Sequence, residues 1–195
     1  PLAAVVLAAG GSVRMGQPKQ LLPIGGRPMV RHMTKVVAAL GMAQVVVVTG
    51  AHAEAVAAAL ADLPVDIVAN ESWAEGMSSS VRAGLRALRP EIQAVLLVLG
   101  DQPALTADLL QLLVARYRAT GAPLIAPFYR GQRGNPVLFD RSLFSELLAV
   151  QGDRGGRLLI ARHEEQVEWV RVDDPAVTMD IDSPQDYEGF LGEAA

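Results

Sequence analysis

The sequence predicts a doubly wound, Rossmann-like α/β fold: a mostly parallel twisted sheet with helices on both faces and a small antiparallel excursion. Three observations carry this. Short continuous apolar runs of Val, Leu, Ile and Ala recur along the chain, with the length and composition of strands covered on both faces. Helical patterns separate them, as crossover connections between parallel strands require. Apolar residues make up 51% of the 195 residues but aromatics only 5%, so small and branched aliphatics must build the interior. This length suits one domain with a real core, spanning residues 1–195.

The elements follow in order. Ala4-Val5-Val6-Leu7-Ala8 is a first core strand; the apolar start lacks the basic flank of a secretion signal. Residues 29–40 form a helix that stops at Gly41. Val45–Val48, Asp66–Ala69 and Val95–Leu99 read as buried strands. Helices over 53–60 and 79–88 lie between them, the second ending before Pro90. Thr106 caps a helix running to about Arg118, with Gly121 beyond its end. After Pro123 the alternation fades. Leu124–Phe128 and Pro136–Phe139 read as strands around the turn 130–134, an antiparallel excursion over the sheet. Val167–Val172 is a late strand. Ser183-Pro184-Gln185-Asp186 starts a helix, with Ser at the N-cap, Pro at the first helical position and an acid at the third.

Charge and composition exclude several classes. Net charge is −4 without a basic run, which argues against nucleic acid. No cysteine is present, so there is no disulfide framework, thiolate nucleophile or zinc–thiolate site. No apolar run approaches the length of a membrane span. These features are those expected of a cytoplasmic protein. His32, His52 and His163 are scattered without ligand spacing.

The stretch AVVLAAGGSVRMGQPK, residues 4–19, carries the first functional signal. A strand breaks into Ala9-Gly10-Gly11-Ser12, and the cations Arg14 and Lys19 follow with no carboxylate between them. Glycines let backbone N–H groups approach a ligand, so strand, glycine turn and cations together suit a polyanion such as a triphosphate. The loop is not a Walker A loop, because Gln17-Pro18 stands where Lys-Ser/Thr is required, and there is no G-x-G-x-x-G. The plainer reading is a strand turn with surface cations.

Two carboxylates complete the pattern. Asp101 follows the run Val95–Leu99, at the carboxyl end where parallel sheets bind ligands. Asp182 precedes the last helix, and Asp180 shares its face in Asp-Ile-Asp. Hard oxygen ligands of this number suit Mg²⁺ beside substrate phosphates. Asn70 and the serines 78–80 offer amide, hydroxyl and helix-start N–H groups for reading a base; Ser78 or Ser79 equally fits a helix N-cap.

LAAGGSVRMGQPKQLLPIGGRPMVRH resembles the opening signature of nucleotidyltransferases that build sugar nucleotides, cytidyl alcohols and dinucleotide molybdenum cofactors. Gly76–Gly84, Gly100-Asp101-Gln102-Pro103, Arg133–Phe139, Gly152–Arg157 and Asp180–Pro184 resemble one branch, the molybdopterin cytidylyltransferases of the MobA-like group. The resemblance implies the nucleotide-diphospho-sugar transferase fold and transfer of CMP from CTP to the phosphate of molybdopterin, with Mg²⁺. Leu7, Ala8, Ala9, Gly10, Gly11, Arg14, Lys19, Asn70, Ser80 and Asp101 would bind the nucleotide, with Lys19 at the α-phosphate and Arg14 at the β- and γ-phosphates. Arg14, Lys19 and Asp101 would be catalytic. Asp101, Asp182 and Asp180 would hold the metal, and Arg133, Asn135, Asp153 and Arg157 would line the acceptor pocket. Ala8-Ala9-Gly10 favours a pyrimidine, since guanylyltransferases of that pathway carry Ala-Gly-Gly. A xanthine-dehydrogenase-type molybdoenzyme is the implied partner. Another phosphorylated acceptor, another nucleotide, or a non-catalytic carrier of finished cofactor stay open.

Overall fold

The computed structural model describes residues 1–193. Its main sheet is built on β1 (Leu2–Ala8), flanked in parallel by β4 (Gln44–Thr49) and β6 (Ala94–Leu99). A separate two-residue hairpin, β2 (Pro23–Ile24) with β3 (Arg27–Pro28), precedes β4. Beyond β4 lies β5 (Asp66–Ala69), and on the other side come β7 (Leu124–Tyr129), β8 (Gln132–Arg133), β9 (Val137–Asp140) and β10 (Val167–Arg171). The spatial order is β10-β7-β9-β6-β1-β4-β5, with β8 paired to β7.

Period-two alternation sends the strand residues to two cores. Ala4, Val6, Val47, Leu96 and Val98 face one side, where they meet α1 (Met29–Ala38), α2 (Ala53–Leu60) and α4 (Ala107–Thr120). Val5, Val46, Val48, Val95 and Leu97 face the other, under α3 (Met77–Arg86), α5 (Phe144–Ala149) and α6 (Arg157–Arg162). On that side Gly84 lets α3 sink onto β1: a Cβ there would stand 2.5 Å from a Val5 methyl. This close seat fixes the height of the α3 N-terminus over the strand ends. α7 (Pro184–Glu193) closes a third cluster, with Tyr187 and Phe190 against Met15, Leu22, Met29 and Ile181.

Two expectations are corrected. Asp66–Ala69 is a strand but not a buried one, because it forms the sheet edge and three of its four residues are exposed. The antiparallel excursion does not lie over the sheet. β9 runs inside it, antiparallel to both β6 and β7, so the sheet is mixed. Thr106 accepts from the Leu109 N–H at 3.3 Å as the α4 cap, and Gly121 adopts the left-handed conformation after it. Ser183 and Asp186 bond each other's backbone N–H at the α7 start, at 3.3 and 2.8 Å.

Candidate active site

A cleft of about 510 Å³ opens at the carboxyl ends of β1 and β6. Its floor is the loop after β1, from Ala8 to Gly11. That loop is stitched by side chains that carry no charge. Gln20 is buried and donates to the Gly10 carbonyl at 2.8 Å, while the Ser12 hydroxyl donates to Gln20 Oε1 and accepts the Lys19 N–H at 3.0 Å. Gly50, at the end of β4, completes the packing: a Cβ there would meet the Ala9 carbonyl at 2.5 Å and Trp73 Cβ at 2.7 Å. Gln20 and Ser12 were not singled out from sequence. The one signal was a glutamine between Lys19 and the Leu21-Leu22 pair, and neutral amides rarely announce a structural role.

Lys19 stands at the centre. Its Nζ donates to Asp101 Oδ2 at 2.7 Å, to Asp182 Oδ1 at 2.8 Å and to the Ile181 carbonyl at 3.1 Å. Burial alone would lower the Lys19 pKa, but the two carboxylates outweigh it and raise the pKa, so the ammonium stays charged. Burial likewise pushes Asp182 up, and Lys19 with Arg14 overcomes this and holds its carboxyl below the usual range. Arg14 is largely exposed and bonds Asp182 Oδ2 at 3.0 Å. Asp101, Asp180 and Asp182 each offer an oxygen within 4.8 Å of the others. Asp101 Oδ1 is buried and has no hydrogen-bond donor among the described residues. A buried carboxylate oxygen left without a donor is open to an ion or a water. The donor set therefore fits a hard divalent cation, which neutralises phosphate charge when bound.

Asn70 lies behind the cleft wall. It donates to Ser79 Oγ at 2.8 Å and Ser80 Oγ at 3.0 Å, and its Oδ1 accepts the Ser72 N–H. Ser80 reaches the cleft, as do Trp73 and Met77. Neither Ser78 nor Ser79 is a helix cap: Gly76 holds that position without a side-chain bond, and Ser79 donates back to the Gly76 carbonyl at 2.8 Å. Asn135, Asp153 and Arg157 line the opposite wall, and Asp153 Oδ1 accepts the Met77 N–H at 3.3 Å. Arg133 stands apart from the cleft proper, in an adjoining chamber that shares those three residues.

A glycine-floored loop, a lysine beyond it and three carboxylates gathered near the ends of β1 and β6 form an arrangement suited to a nucleotide and a divalent cation. The chain belongs to the MobA-like NTP transferase domain family, whose model matches residues 4–167. The nicotine blue oxidoreductase of Paenarthrobacter nicotinovorans is 33% identical over 96% of this chain and 95% of its own length. The bifunctional protein GlmU of Anaeromyxobacter dehalogenans is 41% identical over 65% of this chain, and the match covers 27% of GlmU. Among solved structures, Rv0371c of Mycobacterium tuberculosis in complex with manganese superposes with a TM-score of 0.85, at 31% identity and 98% coverage of both chains. A nucleotidyl transferase from Methanothermobacter thermautotroptrophicus gives 0.83 at 26% identity, covering 98% of this chain and 96% of its own. Among the described residues no helix is long and apolar enough to cross a membrane.

Proposed function

We propose that this chain, as one nucleotidyltransferase domain, transfers CMP from CTP to the phosphate of molybdopterin with Mg²⁺ in the cytoplasm, releasing pyrophosphate. The observation that carries the transfer reading is Lys19, held by Asp101 and Asp182 at the mouth of the glycine loop. The acceptor phosphate oxygen attacks the α-phosphorus, the bond to the β-phosphate oxygen breaks, and pyrophosphate leaves with the electron pair. A phosphate monoester is largely ionised near neutral pH, with a second pKa of about 6, so no general base is needed. Lys19 can stabilise charge on the α-phosphate oxygens, Arg14 can meet the outer phosphates, and the Gly10–Gly11 backbone can approach them without side-chain hindrance. Asp101, Asp182 and Asp180 would hold the Mg²⁺.

The motifs around Ser80, Asp153 and Arg157, which resemble the molybdopterin cytidylyltransferases, support the acceptor assignment and a molybdoenzyme as recipient of the product. Ala9 and Ser80 support CTP over GTP. An unpaired buried polar group costs about 1–3 kcal/mol, so the expected preference is roughly ten- to a hundred-fold in kcat/KM. Incubation with each nucleoside triphosphate and molybdopterin, with mass analysis of the product, tests both. Equal or better use of GTP sinks the base assignment, and product formed only with a sugar or polyol phosphate sinks the acceptor.

The full-length relative named as an oxidoreductase favours a second reading, in which the same cleft holds a redox nucleotide. Hydride transfer from a reduced nicotinamide nucleotide to added nicotine blue, with bleaching of the dye and without pyrophosphate release from CTP, would establish it.

A further inference from the structure

The glycine loop and Lys19 are joined by two side chains that carry no charge. Gln20 borders the cleft and yet is only 4% exposed. Burying an amide is unfavourable unless its hydrogen bonds are remade, and here they are remade on the loop itself. Gln20 Nε2 donates to the Gly10 carbonyl at 2.8 Å and, more weakly, to the Ala8 carbonyl at 3.4 Å. Its Oε1 accepts the Ser12 hydroxyl at 3.2 Å.

Ser12 carries the connection onward. Lys19 opens a short 3₁₀ turn, Lys19–Leu21, whose N-cap residue Pro18 makes no side-chain bond to it. The Lys19 N–H is taken instead by Ser12 Oγ at 3.0 Å, from seven residues upstream. Ser12 has a φ of 55°, in the left-handed region that residues other than glycine seldom adopt. Such a backbone persists only where its surroundings enforce it, and both bonds of the Ser12 hydroxyl run to residues 19 and 20. The segment from Ala8 to Gln20 is thereby closed on itself, with Lys19 at the closure.

This closure has an electrostatic consequence. Backbone N–H groups attract an anion, and carbonyl oxygens repel it. Gln20 occupies two loop carbonyls with N–H donors and brings no charge of its own. The Lys19 ammonium reaches Asp101 and Asp182 at 2.7 and 2.8 Å from a backbone that Ser12 pins.

We propose that Gln20 and Ser12 are positioning residues: a neutral clasp that keeps the Ala8 and Gly10 carbonyls occupied and fixes Lys19 against the glycine loop. Both act through the loop backbone and Lys19. The inference rests on the nucleotide reading of this cleft and requires no particular base or acceptor.

Two variants of the full chain test it. Gln20→Glu keeps the shape and the Ser12 bond, but cannot donate to either carbonyl and sets a negative charge beside the loop. Ser12→Ala cuts the link to Lys19 and is the milder change, which keeps the test decisive if Gln20→Glu fails to fold. Lys19 and Lys35 are the only lysines of the chain, so isotope-labelled lysine reports one backbone amide on the clasp and one inside α1. Hydrogen exchange at Lys19 should quicken roughly three- to tenfold in Ser12→Ala, as loss of one hydrogen bond predicts, with Lys35 unchanged. Calorimetric binding of CTP with Mg²⁺ should weaken about tenfold or more in Gln20→Glu and a few-fold in Ser12→Ala. Inorganic tripolyphosphate should show the same losses, since the clasp acts on the phosphates. The double variant should bind no worse than Gln20→Glu alone, because the two residues act as one unit. Equal quickening of both lysine amides would mean that the pair only holds the fold, and would overturn the proposal. Affinity within twofold of wild type in Gln20→Glu would also overturn it, and with pyrophosphate still released would leave the transfer reading standing. Gln20-dependent binding of CTP and tripolyphosphate without pyrophosphate release would uphold the clasp and count against that reading instead.

Discussion

On the side of the cleft assigned to the triphosphate, Lys19, Arg14, Asp101 and Asp182 are already tied to one another at 2.7–3.0 Å. On the opposite side Arg157, with Arg133 in the adjoining chamber, has no such partner among the described residues, and Asp153 spends one oxygen on the Met77 N–H. The two sides are thus prepared differently. Paired charges keep the first wall in shape before a ligand arrives, and their cost of desolvation is already met by their partners. Unpaired cations on the second wall hold their attraction in reserve for an incoming anion. Substitutions on the first side should therefore act on the chemical step, and those on the second on substrate affinity.

The largest effect tests the first half of that contrast. Asp101→Ala removes the shortest contact of Lys19 and one corner of the carboxylate triad. Pyrophosphate release should fall by roughly a thousandfold or more, with the far-ultraviolet circular dichroism unchanged. A folded variant with ordinary turnover in Mg²⁺ breaks the assignment. Lys19→Ala comes next, at about 2.7–4 kcal/mol or roughly 100- to 1,000-fold, and the loss should sit in kcat. A change confined to KM would mean that Lys19 binds ground and transition states alike and so behaves like the second wall.

Arg157→Ala probes that wall. A hydrogen bond to a charged group contributes about 1.5–3 kcal/mol, so the acceptor KM should rise roughly ten- to a hundred-fold. kcat at saturating acceptor should stay within a few-fold, as initial-rate kinetics would show. Loss of kcat instead would merge the two sides into one catalytic unit. The smallest effect belongs outside both. The Tyr117 hydroxyl donates to Asp140 Oδ2 at 2.6 Å, and burial, reinforced by Asp140, pushes its pKa up to about 12. Tyr117→Phe should cost about 1 kcal/mol in a melting experiment at neutral pH and leave catalysis alone. The Tyr117 proton is held more tightly in the folded state, so its contribution is complete below the unfolded pKa of about 10. It is lost as pH rises through about 12, so the gap between variant and wild type should narrow across that window.

The parallel core was legible because β-branched runs of strand length have few other uses, and the strand ends then located Asp101 and the glycine loop. Exposure was not legible. Asp66–Ala69 has the composition of a buried strand and lies at the edge, since neighbours rather than residues decide burial. The place of the antiparallel pair escaped for the same reason: four residues, Val137–Asp140, carry no mark of lying inside the sheet between β6 and β7. The six-residue helices α5 and α6 are too short for a period of 3.6 to stand out. In the cleft, residue types announced Lys19 and the aspartates, but not that they would meet, because that contact spans 163 positions. The chamber beside the cleft was legible only in the polar residues of its rim, Arg133, Asn135, Asp153 and Arg157, since its apolar lining is made of ordinary core residues.

The separation between Lys19 and its last partner also sets an order of events during synthesis. At roughly 5–20 residues per second, the ribosome makes the glycine loop about 8–30 seconds before Asp182 is joined. In that interval β1, β4 and β6 can pair, and the gap between β6 and β7 is filled only once residues 137–140 have emerged. Lys19 meanwhile has Asp101 but neither the Ile181 carbonyl nor the Asp182 carboxylate. A nascent chain therefore assembles its glycine loop while still lacking two of the three carboxylates that gather beside it, and the cluster closes only after residues 180–182 have been made.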